Sequence, residues 1–522
     1  MRSRGRGRIE RIAVVLVLAV CSAACITVWR ARFMQLDDYT RIETDDPFLK
    51  CHTWDGWVYV LSAWELDREA RRIQGQGVLY DADRDRVRDG RFEIPFDKVA
   101  LVETNEPRRM AHAGMVVMGI VTGASVALTA VCLANPKACF GSCPTFYARE
   151  GQELHLQAEA FSASVARALE SSDIDALATT RVEQGRIELL MTNDALETHA
   201  VRELRLLVAP RPEGGRVFHA RDAFYPARSL TEPSKCRGEA GDCLEPVRAF
   251  DRTEYISAAD GRDLAARERI ELEFEKRPEG SLGLVIGGRN SLLNTFLFYQ
   301  ALAYMGIDAG EYMVKLERKG KEALDLVAGP GRLLGDVEVE VRSRAGWVRA
   351  GAFDEVGPIA RELQIVRLPD DLPEGPVRLR LNLCKGNWKI DWLALAGIGE
   401  PVEPVAIPPS RVVRGQKDGH VDAEALAAIL DPDAYLFTYP QDAYWLIFEL
   451  PPGSWEPFLQ ARGFYYEWIR DQWLPEKNPE KLADLLLEPE RMLKELAPAY
   501  KRLEPSMERV FWQSRLGREG VR

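Results

Sequence analysis

Hydrophobic and polar positions change rhythm several times along the chain, and each rhythm predicts a different kind of element. Phe48 to His52, Gly56 to Trp64, Ile73 to Tyr80, Phe92 to Phe96 and Val99 to Val102 alternate or run apolar over short lengths. That period marks half-buried strands, and Asp55-Gly56 and Asp89-Gly90 are the turn signals between them. A small β-barrel or curled sheet over residues 33–107 is the expectation, with the charges from Asp81 to Arg91 forming a solvated hairpin tip. The rhythm then disappears. No side chain from Met110 to Pro136 is formally charged, and Gly114 to Ala134 is long enough to cross a bilayer as a helix rising about 1.5 Å per residue. Gly119 and Gly123 give it a small-residue face on which helices approach closely.

Residues 137–330 read as mixed α/β. Arg186 to Met191, Glu203 to Ala209, Ile270 to Phe274 and Leu282 to Ile286 are expected strands, and Ser162 to Leu169 and Ser291 to Met305 expected helices. Residues 331–400 alternate like an antiparallel β-sandwich, in Val337 to Val341, Leu363 to Leu368, Val377 to Leu383 and Trp388 to Leu395. Pro401, Pro404, Pro408 and Pro409 mark a linker over residues 401–420. Residues 421–522 read as helical, because Phe464, Tyr465, Trp468, Ile469 and Trp473 fall at helical spacing between Leu459 and Trp473. The expected class is α+β and multidomain.

Composition narrows the function classes. A chain of 522 residues exceeds one hydrophobic core. Its 46% hydrophobic and 29% charged residues exclude a mostly disordered chain and a polytopic membrane protein. The 80 acidic against 69 basic side chains leave a net charge of -11, which phosphates repel, so nucleic acid is not an expected partner.

The N-terminus points to a compartment. Arg2, Arg4, Arg6, Arg8 and Arg11 precede an uncharged run from Ile12 to Trp29, as in an export signal. Within it, Ser22-Ala23-Ala24-Cys25 is similar to a bacterial lipobox, in which the cysteine thiol takes a lipid chain; Ser22 departs from the leucine preferred there. Residues 1–25 are therefore expected to be a signal peptide with Cys25 lipidated, beside an uncleaved anchor or ordinary cleavage after Ala24. All three readings place the residues beyond the leader outside the cytoplasm. Arg108 and Arg109 would then lie where basic residues disfavour a simple second crossing. The run over 110–136 is expected either to enter or lie in the membrane as a helix, or to be a helix buried against protein.

Cysteine usage fits an oxidising compartment. Cys139, Cys143, Cys236 and Cys243 sit in loops containing Gly, Ser or Pro and are the disulfide candidates, within or between the two close pairs. Zinc competes as a reading but wants tighter Cys-x2-Cys knuckles or histidine partners. No metal and no cofactor is expected.

Three groups could bear chemistry. Gly287, Gly288, Arg289 and Asn290 precede an expected helix, where backbone N–H groups can cradle an anion, though the full dinucleotide pattern is absent. Trp347, Trp388 and Trp392 could form a ligand platform, although alternation puts Trp388, Ile390 and Trp392 on one face, where core packing competes. Glu197, Thr198 and His199 stand together, as a general base or, more commonly, a surface turn. None is assigned catalysis.

The export signal with Cys25, the motif Cys139-Phe140-Gly141-Ser142-Cys143-Pro144-Thr145-Phe146-Tyr147 and the motif Gly463-Phe464-Tyr465-Tyr466-Glu467-Trp468 together resemble large uncharacterised bacterial envelope lipoproteins. The resemblance covers these short motifs and implies no activity. The expectation is a membrane-anchored, extracytoplasmic protein of the bacterial envelope that binds or assembles with a protein or a glycan. A hydrolase acting on an envelope polymer through paired carboxylates is the alternative.

Overall fold

The computed structural model describes residues 26–34, 49–82, 86–110, 143–150, 153–221, 223–309, 312, 329–354, 356–417, 419–468 and 476–514. The chain forms two compact units, Met1–Ala134 with Arg470–Glu476, and Asn135–Ile469 with Lys477–Arg522.

In the first unit, β1 (Ile26–Met34), β2 (Leu49–Thr53), β3 (Val58–Asp67), β4 (Arg72–Tyr80), β5 (Arg86–Pro95) and β6 (Val99–Met110) form one antiparallel sheet in the order β1-β6-β2-β3-β4-β5. Leu49, Cys51, Leu61, Ile73, Phe92, Ile94 and Val102 make its core, as the alternation predicts. Residues 1–25, with Cys25, and 111–142, with most of the expected apolar helix, lie outside the described residues; Met110 itself ends β6. Among the described residues no helix is long and apolar enough to cross a membrane.

The second unit opens with β7 (Thr145–Glu150), β8 (Glu153–Glu159), β9 (Ser171–Ala176), β10 (Arg186–Thr192) and β11 (Glu197–Pro210). Next come β12 (Arg216–Ala220), β13 (Ala223–Thr231), β14 (Lys235–Gly238), β15 (Gly241–Asp242), β16 (Arg267–Phe274), β17 (Ser281–Asn290), α1 (Leu293–Met305) and α2 (Gly329–Leu334). The middle of the unit continues with β18 (Val337–Ser343), β19 (Gly346–Phe353), β20 (Glu362–Arg367), β21 (Val377–Cys384), β22 (Trp388–Ile398), β23 (Val405–Ile407) and β24 (Arg411–Arg414). The unit closes with α3 (Ala423–Leu430), β25 (Leu436–Thr438), β26 (Ala443–Glu449), β27 (Trp455–Glu467), α4 (Pro479–Leu487) and α5 (Pro489–Ser514).

β-Sandwich-like sheets are present, and residues 331–400 contribute strands to two sheets that share a core; a separate sandwich is built outside that range. Its two sheets, β24-β26-β10-β7-β8 and β23-β11-β27-β9, join strands from both ends of the unit. Phe146, Leu189, Leu204, Leu206, Leu446, Phe448, Leu459 and Tyr465 fill the space between them, and α3 closes it with Ala425 and Ile429. The chain between Pro210 and Val405 builds a closed barrel, β12-β13-β22-β17-β20, and a sheet, β15-β14-β16-β21-β18-β19. Strand β17 separates two cores. Leu282, Leu284 and Ile286 pack toward that sheet, while Val285 packs with Phe218, Leu363 and Phe458.

Two further expectations are corrected. Residues 401–420 are not a free linker, since β23 pairs with β11 and β24 with β26. The aromatic stripe is strand from Leu459 to Glu467, not helix, while Ile469 and Trp473 lie outside the described residues: β27 lies between β11 and β9 with both faces buried, and an apolar run buried on both sides carries no period to distinguish the two. Helices do cover 479–514, where Leu482, Leu485, Leu493 and Leu496 are buried.

Candidate functional site

The site begins with one extra residue in β22. Its register against β17 passes from Trp392–Gly287 to Ile390–Gly288, so Asp391 is bulged out of the ladder. A bulge re-aims the side chains around it. Trp388 and Ile390 point into the core shared with β18 and β21, whereas Trp392 packs on the opposite side, its ring 6.1 Å from that of Phe218.

The bulge also catches a second chain segment. Arg248 bridges to Trp392 and Tyr255 to Ile390, so residues 249–254 loop outward over Asp391 between two anchored ends. The buried Asp391 carboxylate accepts the backbone N–H groups of Asp251 at 3.2 Å and Arg252 at 3.1 Å. This holds Arg252 at φ 80°, a left-handed conformation that side chains other than glycine adopt at a cost of about 1 kcal/mol or more. Arg361, immediately before β20, places Nε 3.2 Å from Asp391 Oδ2 and its guanidinium 5.7 Å from the Phe250 ring centre. Burial pushes the Asp391 carboxyl up to about 6, against the opposing pull of Arg361 and the two N–H groups. Burial likewise lowers the Arg361 pKa; Asp391 opposes that shift and Arg252 adds to it.

These groups edge a cleft of about 100 Å³, lined by Leu156, Gln157, Ala176, Ala178, Thr179, Phe250, Asp251, Arg252 and Arg361. Gln157 and Thr179 brace each other: Gln157 Nε2 donates to Thr179 Oγ1 at 2.7 Å, and the Thr179 N–H donates to Gln157 Oε1 at 3.2 Å. Arg252 Nη2 lies 3.2 Å from His155 Nδ1, which steadies its reach.

Acidic residues lie nearby but are committed to the fold. Glu159 accepts the N–H groups of Ile359 and Ala360, and Asp173 those of Phe161 and Ile174. Glu362 accepts the N–H of Ala176 and pairs with His219 Nε2 at 2.8 Å. Burial, with Asp173 and Glu362 beside it, raises the Asp175 pKa well above the usual range. Strand alternation turns Ala176 toward the cleft and its neighbour Asp175 into the protein.

The residues singled out in the sequence fall elsewhere. Gly287, Gly288, Arg289 and Asn290 form no helix-entry loop; they are the buried end of β17. The glycines permit close packing, since a Cβ at Gly287 would meet Leu363 at 2.8 Å and one at Gly288 the Lys389 carbonyl at 2.6 Å. The Arg289 guanidinium is taken by Glu254, Glu508 and the Pro358 carbonyl. No tryptophan platform forms: Trp388 is 1% exposed, Trp392 lies in the other core, and Trp347 on β19 is overlaid by the Arg380 guanidinium at 3.8 Å. Glu197 and His199 are not a surface turn but buried partners on β11, 3.1 Å apart. A disulfide joins Cys236 to Cys243, while Cys143 is a buried free thiol; Cys139 lies outside the described residues. Arg252, Arg361 and Asp391 escaped the sequence reading, and only the charge of Asp391 inside an apolar strand hinted at them. Among the described residues no cluster of His, Cys, Asp and Glu could hold a metal ion.

No protein-family model matches the chain, and no curated protein matches it. Among solved structures, a GH31 alpha-xylosidase from Xanthomonas citri aligns at 9% identity over 85% of this chain and 38% of that one. The TM-score of 0.14 is too low to carry an argument about fold or chemistry.

Proposed function

We propose that the chain is a membrane-anchored lipoprotein of the bacterial envelope whose larger unit binds a protein or glycan there. The observation that carries the binding role is the allocation of charge at the cleft. Arginines and amide groups line it, whereas Glu159, Asp173 and Glu362 each accept backbone N–H groups within the fold. Glycoside hydrolysis by two carboxylates requires both to face the scissile bond about 5 to 9.5 Å apart. The cleft lacks such a pair among its lining residues, which favours recognition over hydrolysis.

Support for the compartment comes from elsewhere. The Cys236–Cys243 disulfide suits an oxidising environment, and the arginine-rich leader ending at Cys25 suits export with lipidation. Affinity isolation of the tagged full-length protein from detergent-solubilised membranes tests both parts at once. The expected result is an acylated protein recovered with a specific envelope component. Release of reducing ends from envelope polysaccharide, abolished by Glu362→Gln, would replace the binding role with hydrolysis.

A further inference from the structure

We infer that the cleft between Arg252 and Arg361 is an anion site that receives one carboxylate or phosphate group of the ligand. The inference rests on the binding role proposed above and names the chemistry that the role recognises.

Two cations border one open cleft beside a single buried anion. Asp391 holds the Arg252 backbone through its N–H and lies 3.2 Å from Arg361 Nε as an ion pair, while the Arg252 guanidinium rests against His155 Nδ1 at 3.2 Å. The mutual repulsion of the two guanidiniums is part of what lowers the Arg361 pKa. An anion between them relieves that repulsion and gains charge-assisted hydrogen bonds, the kind for which a planar guanidinium is suited. Asp251 also lines the cleft, but its Oδ1 is turned back to accept the N–H of Thr253 at 2.9 Å.

Backbone strain points the same way. A loop that needed only to cross the bulge would be easier to build with glycine at φ 80°, yet the residue there is an arginine whose side chain borders the cleft. Strain of this sort persists where its surroundings enforce it and concentrates at functional positions. Here Asp391 and the bridges at Arg248 and Tyr255 are the enforcement.

Volume limits what enters. At about 100 Å³ the cleft has room for one acidic group beside the two arginines. The Phe250 ring and Leu156 supply apolar walls, and Gln157 and Thr179, bonded to each other, form the polar side. The remainder of the ligand lies across the mouth.

The test is calorimetric titration of the full-length protein in detergent with three probes: inorganic phosphate, trigalacturonate and the neutral trigalactose. Saturable binding of phosphate or trigalacturonate, weakened at higher salt, with none of trigalactose, is expected. The preferred acid identifies whether phosphate or carboxylate is the natural group. Arg361→Gln should weaken binding about tenfold or more. Arg252→Gly separates binding from folding: glycine adopts φ 80° freely, so thermal stability should hold or rise while binding falls by a similar factor. Binding unchanged in both variants, or no saturable binding of either acid, overturns the anion site. Capture of an envelope component that binds the two variants as well as wild type would overturn it while leaving the binding role intact.

Discussion

Arg289 on β17 and Glu508 on α5 are joined by two hydrogen bonds, from Nη1 to Oε1 at 2.8 Å and from Nη2 to Oε2 at 3.3 Å. The same guanidinium grips Glu254 through Nε at 2.6 Å and Nη2 at 2.8 Å. One buried cation thus ties the last helix and the loop over Asp391 to the barrel. Arg289→Met leaves Glu254 behind with only Lys389, 3.6 Å away, and is expected to cost about 3 kcal/mol. Urea unfolding should show a lower midpoint, and limited proteolysis should cut α5 first. An unchanged midpoint would show that packing alone holds α5, through contacts such as Phe296 against Tyr500.

Asp173 predicts an acid-side trend in stability. Burial, with Glu362 next in effect, pushes its carboxyl from 3.8 up to about 6, although the N–H groups of Phe161 and Ile174 pull the other way. Between those two values the folded protein holds a proton that the unfolded chain has released. This contribution to stability is therefore complete below 3.8, falls as pH rises toward about 6, and changes no further above that. Asp175 and Asp391, also raised, act in the same direction. Urea midpoints measured across this window should fall less steeply for Asp173→Asn than for wild type. Equal slopes would place the titration on other groups.

The first unit was legible from β2 to β5 because each of these strands pairs with the next in sequence, whereas β6 closes back onto β1 and β2. The sandwich was not. Leu206 lies opposite Leu459 across β11 and β27, and Met191 opposite Tyr444 across β10 and β26; no local pattern encodes pairings of that span. Trp392 failed for a different reason. Alternation counts residues, and the single insertion at Asp391 reverses the count without any turn residue to announce it. The same insertion made the cleft, so the site was hidden where the strand pattern broke.

Among the described residues the cysteines divide into one bridge and buried thiols. Mass mapping of unreduced protein should recover Cys236 linked to Cys243, while Cys143 and Cys384 react with thiol reagents only after unfolding. Burial pushes the Cys384 thiol up to about 12 and that of Cys143 well above its ordinary value, so neither offers a reactive thiolate. By loop-closure entropy the short bridge contributes about 2.5 kcal/mol, which Cys236→Ser should remove. Rapid labelling of Cys143 in native protein would contradict its buried position.

The last prediction concerns topology. Ile26, the first residue of β1, pairs with Met110, the last of β6, so the chain before one and after the other meets the sheet at the same end. In sequence these are the arginine-led run ending at Cys25, proposed above as an export leader, and the apolar run to Ala134. Both can therefore reach one membrane surface without unfolding the strand pair. Arg109 and Arg108 pair with Thr27 and Val28, within about 7 Å of that end at a strand rise of about 3.3 Å per residue. A second full crossing would return Cys236 and Cys243 to a reducing compartment, where their bridge would not persist. Residues after Asn135 are therefore expected on the same side as 33–107. A reporter fused after Arg522 should be active only if it works outside the cytoplasm, and Cys25→Ser should abolish acyl labelling. A cytoplasmically active fusion would establish the second crossing, and the disulfide would then have to be found open in cells.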